Sequence, residues 1–227
     1  MDFESFVLAA ATTDLADEPA AREHADAVEF RLDGADAPLA ALDAYEGTLP
    51  VIATNRPARE GGAVPDGPER LETLRSAAAD PAVAAIDVEL STVNRGDAAV
   101  ILETARDHET PVIVSTHDFE TTPRPERLRA LLSSAAEAGQ VAKLATTATG
   151  PGDVLDLLGA THAATQDGLT VATMAMGEPG RHSRAIAPLY GSAIGYAPVR
   201  AADATAPGQF DLATLRGLID RLRGTED

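Results

Sequence analysis

Apolar residues in this chain gather in eight short runs, at 6–11, 28–32, 51–54, 84–90, 112–116, 141–145, 170–176 and 193–197. Each is almost continuously apolar and rich in Val, Ile and Ala, the pattern of a strand covered on both faces. The stretches between them carry helical spacing instead. Leu128, Leu131, Leu132 and Ala135 fall at i, i+3, i+4, i+7, and so do Val154, Leu157, Leu158 and Thr161. Beyond the last run, Leu215, Leu218, Ile219 and Leu222 form a final amphipathic stripe. Asp14, Asn94 and Asp211 are placed as helix N-caps, and Pro125 suits a first helical turn.

Eight strands alternating with about eight helices predict an α/β chain with a parallel sheet. A closed (β/α)8 TIM barrel fits the count, and 227 residues lie near the short end of the usual ~200–400. A doubly wound open sheet is the second arrangement. No linker or low-complexity tract breaks the alternation, so one domain is expected over residues 1–227. The stretch 200–209, rich in Ala, Pro and Gly, reads as a mobile loop.

Composition narrows the function. There is no Cys, which excludes a disulfide scaffold, a thiolate metal site and a Cys nucleophile. With 36 Asp+Glu against 18 Lys+Arg the net charge is −18, and such a surface repels nucleic acid and anionic membrane. The six apolar residues at 6–11 are too few to span a bilayer. They follow Asp2 and Glu4 rather than basic residues, so a signal peptide is not expected and a cytoplasmic location is. Of the 18 basic residues, 17 are Arg and one is Lys. Excess carboxylate, scarce Lys and abundant Ala suit a high-salt cytoplasm, where salt screens the repulsion.

The ionisable residues inside apolar runs are the candidates for chemistry. Glu29 and Arg31 share one face of their run, as do Asp87 and Glu89 of theirs; His117 closes the fifth run and Lys143 sits within the sixth. Burying such groups costs several kcal/mol each unless they are paired, so four strands carrying them imply one shared polar site or a set of structural ion pairs. Lys143 is the sharpest signal. Arg fills every other cationic position, yet only a desolvated Lys can shed its proton and act as an amine nucleophile toward a ketone or aldehyde. His117 should face the strand-end site, where an imidazole suits general acid–base work. His24, His108 and His162 lie in helical or turn contexts. No second His stands at metal-ligand spacing, and no Gly-x-Gly-x-x-Gly follows the first run, so neither a metal nor a dinucleotide cofactor is expected. Two loops carry Gly and Arg suited to anions: residues 54–62 and residues 177–184.

Taken in order, these pieces resemble the type I 3-dehydroquinate dehydratases of the shikimate pathway. The resemblance rests on Glu29-Phe30-Arg31-Leu32-Asp33, Thr54-Asn55-Arg56 with Glu60-Gly61-Gly62, and Asp87-Val88-Glu89-Leu90. It continues through Ser115-Thr116-His117-Asp118-Phe119, Lys143-Leu144-Ala145, Met176-Gly177 with Gly180 and Ser183-Arg184, and Ala206-Pro207-Gly208-Gln209. It implies a (β/α) barrel, usually a homodimer, that dehydrates 3-dehydroquinate to 3-dehydroshikimate through a covalent imine without a cofactor. By position, Lys143 would form the Schiff base, His117 would shuttle protons and Glu60 would orient it. Glu29, Arg31 and Arg56 would contact substrate hydroxyls, Arg184 the carboxylate, and Gln209 would reach in from the last loop. Thr205 stands where a Ser is common and keeps the hydroxyl. The chain begins almost directly with the first strand, so the N-terminal hairpin that covers the barrel bottom in larger members is not expected here. A class I aldolase, sharing the imine lysine, and a non-catalytic binding barrel are the other readings of the residues alone.

Overall fold

A computed structural model describes residues 1–204, 206 and 208–224. Eight parallel strands are hydrogen-bonded in the order β7-β6-β5-β4-β3-β2-β1-β8. They are β1 (Val7–Thr12), β2 (Ala27–Arg31), β3 (Val51–Thr54), β4 (Val83–Glu89), β5 (Val112–Asp118), β6 (Val141–Thr147), β7 (Val171–Met176) and β8 (Ile194–Pro198). The ring is closed between β7 and β8 by a parallel bridge of Val171 with Ser192 and a 2.7 Å bond from the Ala193 amide to the Val171 carbonyl. This is a TIM barrel.

Nine α-helices are found among the described residues: α1 (Glu18–Ala21), α2 (Pro38–Asp43), α3 (Pro68–Ala78), α4 (Leu90–Asn94), α5 (Ala99–Asp107), α6 (Pro125–Ala136), α7 (Pro151–Gln166), α8 (Ser183–Ile186) and α9 (Leu212–Arg223). Pro opens α3, α6 and α7, where its missing N–H has no intrahelical partner to lose. Asp211 caps α9 by accepting from the Thr214 amide, and Asp14 caps the one-turn helix Leu15–Asp17. Asn94 is a correction to the sequence reading. It ends α4 rather than starting a helix, because α4 begins directly after Glu89 and the next helix follows Ala98.

The outward strand residues Phe30, Ile86, Val88, Val114 and Leu144 pack under Leu74 of α3, Ile101 of α5, Leu128 of α6 and Leu157 of α7. The inward positions change character along each strand. The first are apolar and mixed in size: Val7, Ala27, Ile52, Ala85, Ile113, Val141, Ala172 and Ile194. Met1 and Phe3 pack beneath this layer, so the N-terminal residues themselves cover the barrel bottom. On β2 to β6 the second inward position is polar: Glu29, Thr54, Asp87, Ser115 and Lys143 are all buried. The apolar floor fixes the barrel, and the polar layer above it faces the C-terminal strand ends where such barrels place function.

Candidate active site

Lys143 is 4% exposed and points into the barrel. Its Nζ donates to Asp87 Oδ2 at 2.8 Å, lies 3.5 Å from Glu29 Oε1, and stands 3.9 Å from the centroid of the Tyr196 ring. The register of β5 on β6 pairs Ser115 with Lys143 and His117 with Ala145. His117 therefore sits one pleat above Lys143 on the adjoining strand and on the same face, a diagonal of about 7–8 Å between backbones.

The His117 imidazole meets Glu60 through Nδ1, 3.2 Å from Oε2. Burial, reinforced by the Arg56 and Lys143 charges and opposed by Glu60, pushes His117 down to about 4. It is thus neutral near neutral pH. With the carboxylate at Nδ1 the favoured tautomer carries its proton there and leaves Nε2 as the acceptor. Burial would raise the Glu60 carboxyl, but hydrogen bonds from His117 and Ser91 hold it below the usual range.

Glu60 reaches this position because the loop after β3 folds over Asp33. The Arg56 and Ala63 amides both donate to the Asp33 carboxylate, at 3.1 and 3.0 Å. Glu60 ends the one-turn helix Ala58–Glu60, and Gly61 follows with φ 78°, a left-handed conformation that favours Gly. Gly62 is required by space, since a Cβ there would overlap the Arg56 carbonyl oxygen.

A chain of alternating charges joins the amine to the imidazole. Asp87 bridges Lys143 and Arg56 Nη2 (2.7 Å); Arg56 Nη1 meets Glu89 (2.9 Å), whose other oxygen meets Arg70 (3.1 Å). Arg70 pairs with Asp66 (2.8 Å), Asp66 with Arg59 (2.8 Å), and Arg59 with Glu60 (2.6 Å). Buried members are stable here because each charge has a partner at hydrogen-bonding distance. Burial would raise the Asp87 carboxyl, yet the Arg56 and Lys143 charges hold it far below the usual range. Arg31 is paired with Asp33 through two bonds, at 3.0 and 2.8 Å, and not with Glu29. Glu29 instead accepts from the Thr54 hydroxyl at 3.0 Å.

Arg184, in α8 after β7, is the contrasting cation. It is 5% exposed, its Nε has no hydrogen-bond partner, and no carboxylate among the described residues pairs with it. Burial alone pushes it down to about 10. A buried guanidinium beside a cavity, with no carboxylate partner among the described residues, can receive an anion, and its fork matches a carboxylate.

One cavity is lined by Glu29, Arg31, Arg56, Glu60, His117, Lys143, Arg184 and Gln209. These eight sequence candidates are brought together. Thr205 lies outside the described residues. Gln209 Oε1 accepts from the Ala206 amide at 3.0 Å, folding its loop end toward the cavity. Among the described residues no group of three or more His, Asp or Glu side chains could hold a metal ion.

Sequence reasoning missed several contributors. Tyr196 and Met174 line the cavity from runs that read as plain apolar strands, where an inward aromatic or Met gives no signal. Arg70, 4% exposed, sits within a helix, where Arg ordinarily marks the solvent face. The hydroxyls of Ser115, on Asp87 (2.6 Å), and Ser91, on Glu60 (2.7 Å), give no signal either.

Residues 6–226 match the family described as type I 3-dehydroquinase. A 3-dehydroquinate dehydratase of Haloarcula marismortui is 55% identical over 226 residues, covering 98% of this chain and 99% of its own length. That of Methanosarcina acetivorans is 38% identical, covering 90% and 88%. The 3-dehydroquinate dehydratase structure from Geobacillus kaustophilus superposes with a TM-score of 0.86 at 28% identity, over 99% of this chain and 93% of that one. The type I enzyme of Clostridium difficile, solved with covalent modified comenic acid, gives 0.85 at 25% identity over 98% and 94%.

Proposed function

This chain belongs to the type I 3-dehydroquinase family and is a hydro-lyase, a 3-dehydroquinate dehydratase of the shikimate pathway; on that premise we propose that it works through an imine on Lys143, with His117 as the proton shuttle. The observation that carries this reading is the placement of an inward amine and an inward imidazole on adjoining strands, facing one cavity that also holds Arg184, a cation with no carboxylate partner among the described residues. The covalently modified C. difficile relative supports covalent chemistry in this family.

The Lys143 amine adds to the substrate ketone, and loss of water from the carbinolamine gives an iminium. Asp87 and Glu29, which flank Nζ, and the Tyr196 ring beside it then face the iminium's positive charge, which stabilises it. The iminium draws electrons from the adjacent carbon, and neutral His117 removes a proton there through Nε2 to give an enamine. Electrons return toward the β-carbon, its C–O bond breaks, and His117 delivers its proton to the departing hydroxyl, which leaves as water. Water then hydrolyses the conjugated iminium, releasing 3-dehydroshikimate and the amine. One imidazole on one face serves both transfers, so the elimination is syn. Glu60 keeps His117 in the useful tautomer, Arg184 binds the carboxylate, and Glu29, Arg31, Arg56, Thr205 and Gln209 contact the remaining polar groups of the substrate.

The acidic surface and the haloarchaeal relatives support a role in a high-salt cytoplasm, and among the described residues no helix is long and apolar enough to cross a membrane. The family resemblance implies a homodimer, which light scattering in concentrated KCl reads directly. Intact-mass spectrometry after borohydride reduction with 3-dehydroquinate tests the chemistry. The wild type gains one reduced adduct on Lys143, and Lys143→Ala gains none and does not turn over. Turnover by Lys143→Ala at the wild-type rate would refute the imine route. His117→Ala is expected to form the adduct yet eliminate water about 10²–10⁴-fold more slowly.

A further inference from the structure

Glu60 is held at both oxygens. Oε2 faces His117, while Oε1 accepts from Arg59 Nη1 at 2.6 Å and from the Ser91 hydroxyl at 2.7 Å. Arg59 is fixed in turn from three directions. Its Nε donates to Asp66 (2.8 Å), its Nη1 to Ser91 Oγ (2.7 Å), and its Nη2 to the Thr92 hydroxyl (3.2 Å). Ser91 and Thr92 lie in α4, directly after the strand that carries Asp87 and Glu89. The Arg59 side chain is 34% exposed and Glu60 is 10% exposed, so the clamp runs from solvent into the cavity wall.

A carboxylate bound at one oxygen can rotate about its last side-chain bond, and the imidazole it orients then turns with it. Bonds at the second oxygen remove that freedom. Partly exposed ion pairs contribute little to folding, so a contact set this complete around Arg59 has little stability to explain it. Its consequence is geometric.

We propose that Arg59 and Ser91 are positioning residues for the dehydration: by gripping Oε1 they aim Oε2 of Glu60 at Nδ1 of His117 and so hold Nε2 toward the substrate. The inference rests on the reading of His117 as proton shuttle. Neither residue touches substrate or reacting atoms; both act through Glu60.

The test uses the full chain with Arg59→Gln, Ser91→Ala, Ser91→Thr, Glu60→Gln and the double variant Arg59→Gln/Glu60→Gln, assayed for kcat, KM and borohydride-trapped adduct. Arg59→Gln and Ser91→Ala should each lower kcat roughly ten- to a hundredfold, with KM within about twofold and the adduct still formed. Ser91→Thr, which keeps the hydroxyl, should recover most of the rate. The double variant should be no slower than Glu60→Gln alone, because Arg59 has nothing left to act through. Two results would overturn the inference while leaving His117 in its role: wild-type kcat in Arg59→Gln when Glu60→Gln is slow, or losses that multiply in the double variant. Wild-type kcat in Glu60→Gln and His117→Ala together would remove the shuttle reading and this inference with it.

Discussion

Acidification should weaken this protein through His117 before it reaches most of the carboxylates. Folded, the imidazole is held down to about 4 against an ordinary 6.5, by burial first and then by the Arg56 and Lys143 charges. Glu60 and Asp87 oppose that shift without cancelling it. A base whose folded value is depressed binds its proton in the unfolded chain first, so stability is full above 6.5 and declines as pH falls toward 4. Between about pH 7 and about pH 4.5 the two values give a loss of about 2 kcal/mol from this residue. The measurement is guanidinium unfolding at both pH values in constant high salt, on the wild type and on His117→Asn. The wild type should lose about 2 kcal/mol more than the variant over that interval. Equal losses would show that His117 titrates alike in both states and would refute the assignment of a buried, neutral imidazole. The same shift places the acid limb of kcat/KM below 6.5.

Arg184→Leu should separate function from stability, since it removes a buried cation with no carboxylate partner among the described residues: KM should rise about a hundredfold while the ligand-free protein gains about 1 kcal/mol, read as a melting point a few degrees higher. An unchanged KM would remove Arg184 from substrate binding. Gly62→Ala, which drives a Cβ against the Arg56 carbonyl, should cost at least about 2 kcal/mol and lower kcat, because Arg56 and Glu60 sit on the displaced loop; a wild-type melting point would contradict the packing. Phe3→Ala should cost about 1–2 kcal/mol in denaturant unfolding and leave kcat untouched, as Phe3 covers the barrel floor opposite the cavity. A fall in kcat at unchanged stability would show that the floor and the site are coupled.

What the order of residues alone determined is the set of elements and the chemistry they carry. The eight apolar runs fall on β1 to β8 within a residue or two, because a strand buried on both faces leaves an unbroken apolar signature. The inward Glu29, Asp87, His117 and Lys143 were legible because ionisable groups inside such runs break the signature, and the solitary Lys stood out against 17 Arg. Pairing was not legible. Arg31 chose Asp33 over Glu29, Arg70 came from a helix to complete the Glu89 carboxylate, and Ser91 came from α4 to meet Arg59 on Glu60. Asn94, a plausible cap by type, ended a helix because the chain turned directly out of β4. Closure of the floor by Met1 and Phe3 likewise depends on where the ring of strands leaves its opening. Local pattern follows from the period of one element, whereas the partner of a buried charge is settled by which strands and loops converge on it. Only the closed ring brings residues 114 positions apart, such as Glu29 and Lys143, within reach of one another.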